Sequence, residues 1–265
     1  MWQDSHVVAV SKPWDAQLAY TCRADNEVGE RWAGELTLRG YLEAHHTEVL
    51  NEKGEVRLCH QLDFATSGLI VSAKSRESAD AVARCFRDRV ARKLYAALVF
   101  GHPPWDTCVW DARIQPSKKR FKQRVSSGGK SAETHVTVAC RGKLLVGEHA
   151  GKDASLLWLE PKTGRRHQLR VHASHAGYPI VGDLSYANDR LMYRMFLHAS
   201  ALALPLELPE YGNEELMLES PLDPVGWAHV FQPNDELMRS PDGWPAAVER
   251  IGALHPNLDV NFPQT

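Results

Sequence analysis

The segment HQLDFATSG, residues 60–68, is followed directly by the apolar run LIVSA. It places one carboxylate, Asp63, between apolar neighbours and ends in a Thr-Ser-Gly turn. Asp, Thr, Ser and Gly are all common turn residues, so Asp63 taken alone fits a turn better than a catalytic role. A second segment, GRRHQLRVH at residues 164–172, shifts the interpretation towards chemistry.

The second segment carries a dense positive charge. We expect a helix over residues 165–177, which would put Arg166 and His167 on the same face as Arg170. Such a face requires an anion, either a protein carboxylate or a phosphate. An arginine paired with Asp63 would orient that carboxylate, and a neighbouring arginine favours the ionised form of an aspartate. An ionised carboxylate suits a nucleophile rather than a general acid.

Other chemistries fit these residues less well. Glycoside hydrolysis normally needs two carboxylates, one of them protonated, and no second acid is placed for that work. His167, His172 and His175 would not share one helical face, which disfavours a metal site. In GGKSAE, residues 128–133, the phosphate-loop pattern fails because Arg124 stands where it needs a glycine. We therefore expect no metal and no cofactor.

A basic segment, RIQPSKKRFKQRVSSGGK, spans residues 113–130 and contains no acid. Such a segment favours contact with a nucleic-acid backbone, although a solvated surface loop would have the same composition. Its seven cationic residues are Arg113, Lys118, Lys119, Arg120, Lys122, Arg124 and Lys130.

The order of predicted elements indicates an α+β fold. Strands are expected at residues 6–11, 69–74, 93–101, 134–140, 155–160 and 195–204, and helices at 35–46, 75–89 and 165–177. The helix at 75–89 should begin at Ser75 and bury Ala79, Val82, Ala83 and Phe86. Strands and helices mix without strict alternation, which favours a mixed sheet over a doubly wound one.

Charge divides the chain into two predicted parts. Residues 207–265 hold 11 Asp or Glu and 2 Lys or Arg, so they are predicted to form an acidic, proline-rich extension. Apart from a short helix at 245–254, we expect this extension to be irregular. Residues 1–206 contain every motif described above and are predicted to form one catalytic domain.

Cysteine usage and hydropathy bear on the compartment. Five cysteines are scattered singly without a CxxC pair, which is typical of reduced intracellular thiols. No apolar run approaches the ~18 residues of a membrane span, so no membrane partner is expected. We expect an intracellular protein, cytoplasmic by default, with the mitochondrion and the nucleus left open.

Seven ordered segments together resemble the RluA-type family of RNA pseudouridine synthases. The resemblance covers roughly residues 5–205 and is strongest to the eukaryotic branch of RNA pseudouridine synthase domain-containing proteins. The segments are VVAVSKPWD, HQLDFATSG, KLYAALVFG, GKSAETHV, GRRHQLRVH, GYPIVGDLSY and FLHASAL.

This resemblance implies a fold and a set of roles. The implied pseudouridine synthase fold is a curved, mainly antiparallel mixed sheet with flanking helices and a central catalytic cleft. Asp63 would attack the target uridine, at uracil C6 or at ribose C1′, with Arg170 paired to it and Tyr95 stacked on the base. Gln61, Arg165 and His167 would join the basic segment in contacting the RNA. The substrate would be rRNA, tRNA or another structured RNA, and no cofactor or metal is implied.

Two departures from the family pattern keep a second function open. Gln61 stands where the family has an arginine, and Asp15 replaces a glycine in the Lys-Pro turn. The alternative is an RNA-binding factor, for example in ribosome biogenesis, that uses the same scaffold with little or no catalysis. The acidic extension would then be a candidate contact for a ribonucleoprotein assembly partner, or it would dock on the core or mimic RNA.

Overall fold

The structure is a computed structural model, and it describes residues 1–19, 37–118, 121–212, 214–222 and 224–234. The strands are β1 Trp2–Gln3, β2 Val7–Lys12, β3 Arg57–Leu58, β4 Ser67–Ala73, β5 Arg92–Phe100, β6 Thr107–Trp110, β7 Ile114–Pro116, β8 Gln123–Val125, β9 Thr134–Leu144, β10 Asp153–Pro161, β11 Leu197–Leu204, β12 Leu216–Glu219 and β13 Phe231–Pro233. The helices are α1 Leu38–His45, α2 Arg76–Arg87, α3 Gln168–His175 and α4 Pro224–Val230.

Eleven of these strands form one mixed sheet, in the main order β1-β2-β4-β11-β5-β10-β9-β13. Strands β3, β6 and β12 extend it beside β4, β9 and β11, while β7 and β8 form a separate hairpin. Within the described residues, β4 and β11 pair in parallel and the other paired strands run antiparallel. The predicted α+β class with a mainly antiparallel mixed sheet is therefore confirmed.

The parallel pair β4–β11 depends on the glycine of the Thr-Ser-Gly turn. Gly68 has a φ of +108°, and a Cβ atom at this position would lie 2.3 Å from the carbonyl oxygen of Ala199. A side chain would therefore push the two strands apart. Strand β4 begins at Ser67, directly before this contact. The contact therefore also fixes the position at which the Asp63 loop enters the sheet.

Helix α2 begins as predicted, since the Ser75 side chain accepts a hydrogen bond from the backbone amide of Ser78. Its predicted buried face is partly wrong, because Ala83 is exposed while Ala81 and Cys85 are buried. The buried face of α2 lies next to β4 and is formed by Ser78, Ala81, Val82 and Cys85, so it is rotated from the predicted face. Helix α1 falls within the predicted range 35–46, of which residues 35–36 lie outside the described residues.

The prediction of an irregular chain after Pro205 is wrong for Leu216–Glu219, Pro224–Val230 and Phe231–Pro233. Strand β12 pairs with β11, and β13 pairs with β9 at the edge of the main sheet. Trp227, Val230 and Phe231 are buried in the core, so these residues belong to the same hydrophobic layer as the strands. Residues 235–265, which include the predicted helix at 245–254, lie outside the described residues. No described helix is long and apolar enough to span a membrane.

Candidate active site

Two cavities meet at Asp63, in the loop that leads into β4. The larger has a volume of about 1450 Å³ and the smaller about 690 Å³. Both are lined by His60, Gln61, Asp63, Arg166, His167 and Arg170. The residues singled out in HQLDFATSG and GRRHQLRVH therefore face one another across a cleft.

The Asp63 carboxylate lies beside two cationic or potentially cationic side chains. Arg170 Nη1 donates a hydrogen bond to Asp63 Oδ2 at 3.3 Å, and His167 Nε2 lies 3.8 Å from Asp63 Oδ1. The Asp63 side chain remains 24% exposed, whereas that of Arg170 is 8% exposed. Asp63 is thus oriented from the protein side and open on the cavity side.

Asp183 is the stronger partner of Arg170, and sequence reasoning missed it. Arg170 Nε and Nη2 donate to the two Asp183 oxygens at 2.8 Å each, in a bidentate pair that is shorter than the contact with Asp63. Burial opposes the charge of Arg170, but the hydrogen bonds and charge of Asp183, and then those of Asp63, raise its pKa above the ordinary value. Arg170 is therefore held as a fixed cation that Asp63 shares.

The loop that carries Asp183 is shaped by its own backbone. Asp183 Oδ1 accepts hydrogen bonds from the amides of Ser185 and Tyr186, at 2.8 and 3.1 Å. Gly182 has a φ of +78°, and a Cβ there would lie 1.7 Å from the carbonyl oxygen of Arg194, so a side chain would displace the loop. The signal in the sequence was the Gly-Asp pair that ends the apolar run of GYPIVGDLSY.

Tyr186 completes the wall behind the arginine. The Arg170 guanidinium lies 5.1 Å from the centre of the Tyr186 ring, a cation–π distance. The Tyr186 hydroxyl also forms a 2.8 Å hydrogen bond with His167 Nδ1. One tyrosine thereby fixes both side chains that lie against Asp63.

His167 does not lie on a helix, so the predicted helix start at residue 165 is wrong. Its φ is +56°, and α3 begins only at Gln168. A left-handed conformation at a non-glycine residue is costly, and such conformations cluster at functional sites. Burial lowers the pKa of His167, with Asp63 acting in the opposite direction. The predicted face shared with Arg166 does not form; the Arg166 guanidinium instead lies 5.7 Å from the Phe121 ring centre.

The buried side chain of Gln168 explains the irregular start of α3. Its oxygen accepts hydrogen bonds from the Thr163 hydroxyl and the Arg165 amide, at 2.7 and 2.9 Å. Its nitrogen donates to the Glu133 carbonyl and the Thr134 hydroxyl, at 2.9 and 3.0 Å. These bonds tie the loop before α3 to β9 and draw it away from the helical path, because side-chain bonds compete with helical ones.

Tyr95 lies on β5 and lines the smaller cavity together with Asp63. Burial, and then the negative charge of Asp63, raises the pKa of Tyr95 well above its ordinary value. The phenol is therefore neutral at physiological pH and presents an aromatic ring beside the carboxylate.

Lys12 holds the Asp63 loop through a hydrogen bond to the Phe64 carbonyl, a role that sequence reasoning missed. Its side chain is fully buried, and Nζ donates to the carbonyl oxygens of Pro13, Ala16 and Phe64 at 2.8, 3.0 and 2.8 Å. Asp15, the departure in the Lys-Pro turn, has a φ of +50°, which aspartate tolerates better than most residues. The turn therefore closes with aspartate in a conformation that favours glycine, and Lys12 keeps its three bonds.

The basic segment forms the β7–β8 hairpin, which borders the larger cavity through Phe121. The Gln123 amide donates to the Tyr186 hydroxyl at 2.8 Å, and Lys122 Nζ donates to the Ser185 carbonyl at 2.6 Å. These bonds anchor the hairpin to the loop that follows Asp183. Of the predicted RNA-binding residues in the hairpin, Lys119 and Arg120 lie outside the described residues.

The other predicted RNA-binding side chains differ in their exposure and in their contacts with the backbone. Arg113, Lys118, Arg124 and Lys130 are exposed, and Gln61 is exposed between the two cavities. Two arginines also bond to the backbone: Arg113 Nε donates to the Gly129 carbonyl at 2.7 Å, and Arg165 Nε to the Ser131 carbonyl at 2.8 Å.

Among the residues that the structure describes, no group of three His, Cys, Asp or Glu side chains is placed to hold a metal ion. His172 has a structural role instead. Its two ring nitrogens bond to the Thr134 hydroxyl and the Ala112 carbonyl, at 3.0 and 2.9 Å. Burial lowers its pKa, which favours the neutral ring.

Comparisons with known proteins identify relatives of the whole fold. The model of a family described as RNA pseudouridylate synthase matches residues 19–175. RNA pseudouridylate synthase domain-containing protein 1 of Danio rerio is 35% identical over 234 residues, which cover 83% of this chain and 73% of the relative. The dual-specificity RNA pseudouridine synthase RluA of Escherichia coli K12 is 33% identical over 232 residues, covering 84% of this chain and 92% of that protein.

A solved structure agrees with these sequence matches. The human RNA pseudouridylate synthase domain-containing 1 structure aligns with a TM-score of 0.71 at 30% identity. The alignment covers 94% of this chain and 93% of that one, so the likeness extends well beyond the motifs.

Proposed function

Because the chain belongs to the RNA pseudouridylate synthase family, we propose that Asp63 is the nucleophile with which it isomerises a specific uridine in a structured RNA. The observation that carries this proposal is the position of Asp63. Its carboxylate is paired with Arg170, lies open to the cleft and shares the smaller cavity with Tyr95. An aspartate with a purely structural role would not need a carboxylate that is open to the cleft.

The reaction constrains what the site must do. Isomerisation breaks the N1–C1′ bond of uridine and forms a C5–C1′ bond, while a proton leaves C5 and another is taken up at N1. No electrons pass to another molecule, so the net reaction requires no redox partner. An ionised Asp63 would attack either uracil C6 or ribose C1′. Arg170 would hold the carboxylate in its attacking orientation, and the neutral Tyr95 ring would stack on the detached uracil.

Access to the uridine requires that the base leave its stack. Enzymes that act on a base extrude the nucleotide into a pocket, at a cost of a few kcal/mol. The smaller cavity has a volume of about 690 Å³. Pockets that bind small molecules typically have volumes of about 300–1,000 Å³, so this cavity is large enough for a nucleoside. Gln61 is exposed between the two cavities. There it would hydrogen-bond to the RNA bases next to the position that the extruded base has left.

The test of this function is pseudouridine mapping by chemical labelling and sequencing. Cells would carry either the native protein or Asp63→Asn at the native level, and a third culture would lack the protein. Sites lost in the variant and in the deletion identify both the substrate and the role of Asp63. An unchanged map in the variant would contradict that role. If the deletion then disturbed ribosomes, an RNA-binding role in assembly would replace the catalytic proposal.

The β7–β8 hairpin is proposed to contact the phosphate backbone of the same RNA. Neutralising Lys118, Lys119 and Arg120 together to glutamine is expected to weaken RNA binding. It should also reduce the slope of log K against log salt by about 2, since each contact with a single strand contributes about 0.7. Fluorescence anisotropy over a salt series measures both quantities.

The matched control is Lys143→Gln, which removes an exposed lysine on β9 that lines neither cavity. This control should leave the salt slope unchanged. An unaltered slope in the triple variant would mean that the hairpin does not touch phosphate.

A further inference from the structure

The smaller cavity carries a surplus of positive charge that the proposed chemistry does not use. Seven arginine and lysine side chains line it, and Asp63 is the one carboxylate among the described residues that do so. Arg170 has a partner in Asp183 and Arg165 in the Ser131 carbonyl. The other five are Arg87, Arg89, Lys93, Lys162 and Arg166.

Lys93 is the one partly buried side chain among these five cations, since the other four are exposed. It lies on β5 two residues before Tyr95, so both side chains project from the same face of the sheet. It is partly buried, and its ammonium has no hydrogen bond or ion pair with any described residue. Burial, and then repulsion from Lys162 and Arg89, lowers the pKa of Lys93 to about 8.

The two repelling cations reach the cavity from different segments. Arg89 follows α2 in a left-handed conformation, with a φ of +61°, and its guanidinium has no ion pair with a described residue. Lys162 follows β10, where it has a weak exposed contact with Glu160 at 3.4 Å. Like charges brought together near a partly buried amine disfavour the folded state unless an anion joins them.

From this convergence we infer that Lys93, Arg89 and Lys162 form a binding site for a phosphate group of the substrate RNA. The choice of RNA as the source of that phosphate rests on the proposed function. The phosphate would belong to the backbone next to the uridine held between Asp63 and Tyr95, because the same cavity contains all these side chains. Together with the β7–β8 hairpin at the larger cavity, the site would hold the backbone on both sides of Asp63.

The experiment measures binding without catalysis. Every protein carries Asp63→Asn, and the probe is a fluorescein-labelled oligouridylate of twelve nucleotides. The probe is titrated with protein at salt concentrations from low to high, and fluorescence anisotropy measures binding. Lys93→Gln is expected to raise Kd about tenfold at low salt, in the range for a charge-assisted contact. It should also lower the salt slope by about 0.7. Lys93→Arg should restore Kd to within about threefold, and Lys143→Gln should match the parent protein.

Thermal unfolding separates binding from structure. Since the Lys93 ammonium has no partner among the described residues, Lys93→Gln should keep or raise Tm, whereas a substitution at a residue needed for folding would lower Tm. If Lys93→Gln fails to fold, the exposed Arg89→Gln provides the same comparison. Unchanged Kd and slope in both variants, or a loss that Lys93→Arg cannot restore, would overturn the phosphate site.

The outcomes for this site and for the proposed function remain distinguishable. An unchanged pseudouridine map with Asp63→Asn would refute the catalytic role even if Lys93→Gln weakened binding to the oligouridylate. Conversely, a lost modification with no effect of Lys93→Gln would refute only the phosphate site.

Discussion

Asp63→Asn is expected to lower the rate of uridine isomerisation by at least ~10⁴-fold, a loss typical of an enzyme deprived of its nucleophile. The amide has the size of the carboxylate but no negative charge with which to attack carbon. Single-turnover reactions of purified protein on RNA labelled with tritium at uracil C5 would measure the rate, since formation of the C5–C1′ bond releases that hydrogen. The RNA would be the one identified by mapping.

RNA affinity and the variant Asp63→Glu provide the controls for this prediction. Asparagine can still accept a hydrogen bond from Arg170, so RNA affinity should stay within about threefold of the native value. Asp63→Glu keeps the charge but moves it by one methylene group, so it should also be slow while binding normally. Tritium release by Asp63→Asn within tenfold of the native rate would rule out Asp63 as the nucleophile.

The central pair of the site could be predicted from sequence because each half lies in a short, distinctive segment. Asp63 and Arg170 are 107 residues apart in the chain, yet Arg170 Nη1 lies 3.3 Å from Asp63 Oδ2. The family resemblance, which the family match confirms, and the need of the cationic segment for an anion both indicated this contact. The α+β class could be predicted as well, because most of the strands have clear apolar patterns.

The contacts that hold the site together could not be predicted in this way. Asp183 lies in a loop, and no periodic pattern indicates which distant cation such an aspartate binds. Helical spacing predicts a start of α3 three residues too early, because it takes no account of the four hydrogen bonds of Gln168. Those bonds depend on β9, which is distant in sequence, so tertiary contacts override the local preference.

The strands after Pro205 were missed for a different reason. Residues 207–265 are rich in acidic residues and proline. A composition taken over the whole range therefore hides its two short apolar stretches. Leu218 lies on β12 and Phe231 on β13, and both are buried against strands that come earlier in the chain. A strand of three or four residues at a sheet edge is stabilised by the strand it joins, and its own sequence carries little signal.

Arg170→Met is expected to destabilise the protein by about 3–5 kcal/mol and to abolish activity. Removing one member of a buried ion pair leaves the other charge uncompensated, and here the stranded charge is Asp183, whose side chain is 0% exposed. Asp63 would lose its orienting partner in the same variant. Urea unfolding followed by tryptophan fluorescence measures the free energy of unfolding, and tritium release measures activity. The exposed pair Arg87–Asp88 provides the control, since Arg87→Ala should leave stability unchanged.

A second substitution separates the two consequences of losing Arg170. Adding Asp183→Asn to Arg170→Met removes the stranded charge, while the asparagine oxygen can still accept the amides of Ser185 and Tyr186. The double variant should therefore recover a substantial part of the lost stability. It should remain inactive, because nothing orients Asp63. A double variant less stable than Arg170→Met would contradict the buried-charge explanation. Recovered activity would show that Asp63 works without its arginine, and the 3.3 Å contact would then have no catalytic role.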